Sequence, residues 1–411
     1  MLLIILKLLL CWNFSYAQFA NYNSVLLGDR AAGMGGAGTA LPLDVSSAAF
    51  YNPALLSQSE GAAFSAAVGI YKKYDTNYGS ETDYTQTPLK VSSGFFRSLP
   101  ASTGNVVRKE GWTFGLSILV PEYETFKGDL QSSSQNTSTL TYTDESLWVG
   151  PTLSRALNEK SAWGITLYYA ARSFTRSIQD RTYPDAAQAI LFNSEETLTE
   201  NALVPVFGYM LTPNSEWTLG ASVRIRGIPI SSSATYFEAL TKTNPYSSAQ
   251  VNRNDLSSAI FIPAKLSLGV SHSLNGWVWA ATMDAYEGYS YEIIDYDDRG
   301  SFVVRNAVAN LSLGLEKTFT DWFKVRLGVF SNLSPYPKPD ENLKRLQGER
   351  VDQAGVSANF VFIADNKIAY TFGGYYTGGR GHAIERVNQD YHVITKSQQV
   401  FTMLAGTQFY F

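Results

Sequence analysis

The chain has 411 residues and a formal net charge of −4, with 17% charged and 14% aromatic residues. Charge falls below the roughly 25% of an ordinary soluble protein, and the near-neutral balance offers no footprint for nucleic acid or an acidic surface. Three His and one Cys leave little for metal or thiol chemistry, so neither a metal site nor a cofactor is expected.

Residues 2–12 form a short apolar run, well under the roughly 20 residues that a spanning helix needs. Ser15-Tyr16-Ala17 places small residues where a signal peptidase cuts, so residues 1–17 are expected to be a signal peptide that carries Cys11 away. Residues 18–60 show no sustained alternation. From Arg30 they read RAAGMGGAGTALPLDVSSAAFYNPALLSQSE. Gly33, Gly35 and Gly38 fit G-x-G-x-x-G, yet no hydrophobic strand precedes them and no acidic residue follows at the ribose spacing, so the dinucleotide motif lacks its context. Asn52-Pro53 sets a turn, because a residue before proline avoids helix.

From residue 61 the pattern changes to period two, which puts alternate side chains on opposite faces of a strand. Fourteen segments carry it: 61–73, 88–99, 111–124, 143–157, 161–178, 200–212, 216–231, 257–273, 276–292, 302–318, 321–334, 351–364, 367–378 and 398–411. Short connectors such as 158–160, 213–215 and 274–276 alternate with long polar ones such as 125–142, 179–199 and 232–256. Trp163, Trp217, Trp277 and Trp322 each open a strand just after a short turn, as an interfacial aromatic belt requires. The connector 100–110 should be short and is long. Pro121 in the third strand is read as the end of its pairing, since proline cannot donate to a ladder.

The two faces of these strands differ. Trp163, Ile165, Leu167 and Tyr169 oppose Thr166, Tyr168, Arg172, Phe174 and Arg176; Leu219, Val223 and Ile225 oppose Ser222, Arg224 and Arg226. Lys265, Lys324 and Arg326 also fall on the polar side. A base facing lipid at mid-depth costs about 2–4 kcal/mol, so the polar side is the lumen. Backbone groups in lipid must be paired internally, and the resulting expectation is all-β: a transmembrane, antiparallel, 14-stranded β-barrel in the cell outer membrane. The last strand ends on Phe409-Tyr410-Phe411. That terminal aromatic points to the barrel-assembly machinery as a partner, alongside outer-membrane lipid and lipopolysaccharide. A monomer is expected.

The stretch RAAGMGGAGTA, a short gap with Asp44, and then AAFYNPALL strongly resembles the start of the FadL/TodX-like outer-membrane transporters of long-chain fatty acids and aromatic hydrocarbons. FIPAKLSLGVSHSLNGWVWAATMDA (261–285) and VRLGVFSNLSPYP (325–337) are similar to later segments of that family. The resemblance implies a barrel plugged by a small N-terminal hatch, here residues 18–60, with the barrel over 61–411. It makes Asn52, Pro53 and Ala54 the hatch motif. It implies uptake of a hydrophobic small molecule, a long-chain fatty acid or similar hydrocarbon, by diffusion into the lumen and out through a gap in the wall. Tyr168, Arg172, Phe174, Arg176, Arg224, Arg226 and Lys265 are the candidate ligand-binding residues, since Arg offers a bidentate fork to an anionic head. Ile190, Leu191 and Phe192 sit in an apolar patch of the third long loop, read as an outer-loop collector on a brief helix.

Three other readings stand beside this one. A related non-transporting barrel could serve as a scaffold or secretion-system partner. A general porin is disfavoured by forty small residues available to block it. A hydrolase needs a nucleophile within reach of a base, and His272, His382 and His392 have no such partner at motif spacing, so no catalytic residue is assigned and the chain is not expected to be an enzyme.

Overall fold

The structure is a computed structural model that describes residues 21–42, 44–58, 62–79, 89–96, 100–133, 136–185, 187–259, 262–292, 302–343, 347–364, 367–387 and 390–410. The expected signal peptide, residues 1–17, and the terminal Phe411 lie outside the described residues.

Antiparallel strands form one closed wall. The first strand is β1 (Ala62–Tyr78), and the second is split into β2 (Leu89–Phe96) and β3 (Pro100–Lys109). Then come β4 (Trp112–Ser133), β5 (Asn136–Asn158), β6 (Ser161–Asp185) and β7 (Gln188–Leu211). The seventh strand is β8 (Trp217–Arg224) continued by β9 (Ile228–Thr243); the eighth is β10 (Tyr246–Leu256) continued by β11 (Lys265–Leu274). β12 (Trp277–Tyr286) follows, then the small hairpin of β13 (Tyr289–Glu292) and β14 (Phe302–Arg305). β15 (Val308–Thr320), β16 (Phe323–Asn332), β17 (Arg350–Ala364), β18 (Ile368–Val387) and β19 (Asp390–Tyr410) complete the count of 14. β19 returns to β1 in register from Ala63↔Tyr410 to Tyr78↔Lys396, which seals the cylinder.

The outside of the wall is apolar. Leu167, Phe207, Leu219, Leu266, Leu313 and Leu327 are exposed large side chains. Their strand neighbours Thr166, Ser222, Ser267, Ser312 and Arg326 are buried inside. No helix among the described residues is long and apolar enough to cross a membrane. With every wall strand paired and an oily exterior, this is an outer-membrane β-barrel. At one rim Trp112 packs edge-to-face on Trp163 at 6.1 Å, and Trp217 on Trp279 at 5.4 Å, which forms the expected aromatic belt.

Several sequence-based expectations are corrected. The connector 100–110 is mostly strand: β3 pairs with β1 and with β4, so it is the lower half of the second strand. The long segments 125–142, 179–199 and 232–256 continue the strands as paired hairpins instead of leaving them as loops. Their Thr-, Ser- and Tyr-rich composition suits a pleated surface, and each ladder already formed lowers the cost of extending it. Pro121 does not end its strand. The β4–β5 ladder shifts register between Leu119 and Glu122 and resumes to Ser133↔Asn136, so the proline marks a bulge.

Candidate functional site

Residues 21–58 lie against the inner face of the wall. They contain two short helices, α1 (Arg30–Gly33) and α2 (Val45–Tyr51), and a 3₁₀ turn over Pro53–Gln58. Asp44 caps α2, accepting from Ser47 N at 3.0 Å, and its carboxylate also accepts from the Ser46 and Ser47 hydroxyls, both at 2.7 Å. Asn52 ends that helix and is fully buried. Its amide donates to Thr39 O at 2.8 Å and to Tyr209 O on β7 at 3.0 Å, and its Oδ1 accepts from Ala54 N at 3.1 Å. One side chain thus ties two parts of the block to each other and to the wall.

The wall is cut to receive this block. Gly164 pairs with Gly208, Gly220 with Gly269, and Gly314 with Gly328 on neighbouring strands. A Cβ on Gly164 would meet Pro53 C at 2.5 Å, one on Gly220 would meet Thr39 O at 2.0 Å, and one on Gly328 would meet Gly35 N at 2.2 Å. Only glycine lets two backbones approach so closely. Hydroxyls and amides fill in between: Thr166 donates to Ala49 O at 3.0 Å, Ser271 to Ala40 O at 2.8 Å, and Asn359 to Asp29 O at 2.8 Å. Arg30 reaches Glu316 of β15 at 2.9 Å, and Glu316 also holds Arg326 at 2.6 Å. Burial pushes the Asp29 carboxyl up to about 6, opposed by Arg326 and reinforced by Asp44.

Above the block sits a small cavity of about 40 Å³, room for no more than a few waters. Phe50, Tyr51, Trp148 and Tyr286 supply its aromatic walls, and Arg224 and Lys265 its cations. Lys265 lies 3.5 Å from Asp284, which also accepts from Ser267 at 2.5 Å. Arg224 is buried, gives its Nε to Pro263 O at 3.3 Å, and stacks over Trp148 and Tyr286 at 5.6 and 5.8 Å. Among the described residues no carboxylate is hydrogen-bonded to it, and the buried Trp148 Nε1 finds no acceptor. Tyr22 covers the cavity by stacking on Tyr286 at 4.4 Å. Two further small cavities, of about 40 and 30 Å³, share Val25 with the first. One of them reaches Ala101, Tyr71 and Tyr123 at the wall, where the β3–β4 ladder stops at Ser102↔Leu119. Among the described residues β2 is registered on β1 and not on β4.

The chain matches no protein-family model and no curated protein. Solved structures do resemble it. A Pseudomonas aeruginosa FadL homologue superposes with a TM-score of 0.67 at 15% identity, over 95% of this chain and 99% of that one. The P. putida toluene transporter TodX gives 0.64 at 13%, over 94% and 98%. The Ralstonia pickettii toluene transporter TbuX gives 0.55 at 14%, over 95% and 100%. The fold is that of the FadL and TodX channels.

The candidate residues occupy different places in this FadL-like barrel. Arg224, Lys265 and the motif Asn52-Pro53-Ala54 gather around the cavity and the block beneath it. Arg172 lies higher and is already neutralised. It forks onto Asp144 at 2.8 and 2.5 Å and reaches Glu122 at 3.3 Å, so it does not offer an open anion site. Arg176 stands opposite Glu196 in the β6–β7 register. Phe174 joins Tyr142, Leu198 and Tyr336 in an apolar cluster of the upper lumen. Tyr168 is buried against Trp148 and bonded to Ser117 at 3.0 Å. Arg226 departs from the expectation: the backbone kinks after β8, its side chain is exposed, and it pairs with Glu287 at 2.7 Å. The collector patch is no helix. Ile190, Leu191 and Phe192 lie in β7, where Phe192 is buried inward and Leu191 is 41% exposed. Sequence reasoning missed Trp148, Tyr286 and the glycine pairs. Tyr286 shares a strand face with Asp284, a signal that alternation could have supplied, but a lone Gly in a strand carries no mark of what approaches it.

Proposed function

We infer that the protein takes up hydrophobic molecules across the outer membrane, and that its cargo is a long-chain fatty acid or a similar acid with an apolar body. Residues 18–60 act as a hatch. The glycine-lined contacts favour a hatch that stays seated, so the cargo leaves sideways, by way of the cavities around Val25 and the interrupted ladder between β3 and β4. Displacing Tyr22 and Val25 would join the three cavities into one path.

The observation that carries this reading is Arg224. Its buried guanidinium donates to the Pro263 carbonyl and has no hydrogen-bonded carboxylate among the described residues, and beside it the buried Trp148 Nε1–H has no acceptor. A buried donor left unmatched, as that indole N–H is, costs about 1–3 kcal/mol. A carboxylate head would satisfy both, in the geometry Arg favours, while Phe50, Tyr51 and Tyr286 take the chain at about 0.8 kcal/mol per methylene. The test is binding and uptake of tritiated oleate against tritiated hexadecane. Arg224→Leu is expected to weaken oleate binding about tenfold, or about 1.4 kcal/mol, and to leave hexadecane unchanged. Equal oleate affinity in both proteins would remove the acid from the proposal.

A further inference from the structure

Among the described residues the wall has a second interruption, away from the seam of β3 and β4. β8 pairs with β11 up to Arg224↔Lys265, and β9 pairs with β10 from Ala234↔Leu256. Between these ladders the chain kinks at residues 225–227. Gly227 donates across the break to Ile262 O at 2.9 Å. Directly behind lie Arg224, Ile262 and Pro263, which line the central cavity. In front lies an ion pair. Arg226 forks onto Glu287 at 2.8 and 2.7 Å, and Glu287 Oε1 accepts from Ala264 N at 2.8 Å. Glu287 follows the buried, inward-facing Tyr286, so by alternation it faces out. Arg226 and Glu287 side chains are 48% and 26% exposed.

The height of this pair identifies what it meets. Trp217 and Trp277 mark the lower belt. Arg226 stands nine positions above the first, and Glu287 ten above the second. At about 3.3 Å per residue and a tilt of about 40°, that is about 23–25 Å, the thickness of the apolar band. The pair therefore sits at the headgroup level of the outer leaflet, with the exposed Val223, Ile225, Ile228 and Leu266 around it.

We propose that this break is a side entrance, latched by Arg226 and Glu287, through which an anionic single-chain amphiphile dissolved in the outer leaflet reaches the cavity without passing the outer loops. The two arginines bracket the opening on one strand. Arg226 meets the acid head at the membrane surface, and Arg224 receives it inside. The proposal rests on the cavity being the binding site.

The opening can be locked. A Cβ on Gly227 would lie 3.0 Å from Ile262 Cβ. Disulfides want about 3.5–4.5 Å, so a slight spreading allows Gly227→Cys with Ile262→Cys to bridge the break. The full chain is reconstituted in phosphatidylcholine vesicles and mixed with vesicles carrying dibromostearate. Quenching of Trp148 is followed as the difference from a Trp148→Phe partner. The oxidised double variant should quench at least tenfold more slowly than the same protein after reduction, and Glu287→Gln should quench several-fold faster than the parent. Equal rates before and after reduction, with quenching intact, overturn the side entrance alone. If dibromostearate never quenches Trp148 in the parent protein, the binding site itself is wrong and the entrance falls with it.

Discussion

Asn52 shows how much one side chain can settle. It is fully buried and makes three hydrogen bonds, to Thr39, Ala54 and Tyr209. Replacing it with alanine strands two carbonyls and one N–H in a buried site, a cost of about 3 kcal/mol. Asn52→Ala is expected to loosen the N-terminal block while the barrel still closes. Trypsin cleavage after Arg30 in the folded protein should then speed up at least tenfold; an unchanged rate would mean that the glycine contacts hold the block unaided. The sequence marked Asn52 through its proline. It did not mark the residue's partner on β7, because Tyr209 is 157 positions away and offers a backbone carbonyl that any residue could supply. Most lumen bases were legible from alternation, Arg226 excepted because the backbone kinks before it, and their roles were not. Arg172 meets Asp144 and Glu122, Arg226 meets Glu287, and Arg224 meets aromatic faces. Side-chain alternation says which way a base points and nothing about the charge opposite.

At the scale of elements, the docking of the block depends on glycines placed opposite one another on adjacent strands. Gly220 and Gly269 face Thr39 and Ala40, with Thr39 O only 2.0 Å from where a Cβ on Gly220 would stand. Gly220→Val suits a strand but fills the space that the block occupies. The expected result is a closed barrel with a displaced block, seen as heat-modifiable migration together with raised conductance in planar bilayers. Conductance equal to that of the parent would show that the block seats without this contact. The same reasoning explains the third long segment. Its apolar patch looked like a surface helix because six small or apolar residues fall within seven positions. In the structure the ladder from β6 continues through Thr182↔Ile190, and strand pairing overrides the local preference.

For the whole molecule, β4 to β7 run 22 to 25 residues, about twice what a lipid-spanning strand needs, and with the β9–β10 hairpin they carry the wall past the lipid band as a crest. Its inner face carries Tyr142, Phe174, Leu198 and Ala234. β10 pairs with β9 and, among the described residues, is registered on no further strand. The β9–β10 hairpin is therefore an attachment to the barrel and not one of its supports. Replacing residues 236–254 with a short turn should leave heat-modifiable migration and detergent-phase oleate binding unchanged. Uptake from dilute aqueous oleate should slow several-fold, because the apolar crest is what meets a molecule arriving from water. Loss of the folded form would refute this division between crest and barrel.

What the sequence determined by itself is the wall: fourteen strands, their outward and inward faces, and the belt of tryptophans at one rim. These follow from a period of two, which each strand expresses locally because lipid and lumen select opposite side chains. The tertiary structure alone decided where the wall is interrupted, which cations are neutralised, and which wall residues the described part of the N-terminal block packs against. Those outcomes depend on the register between strands far apart in the chain, and register brings together groups whose spacing in sequence carries no signal.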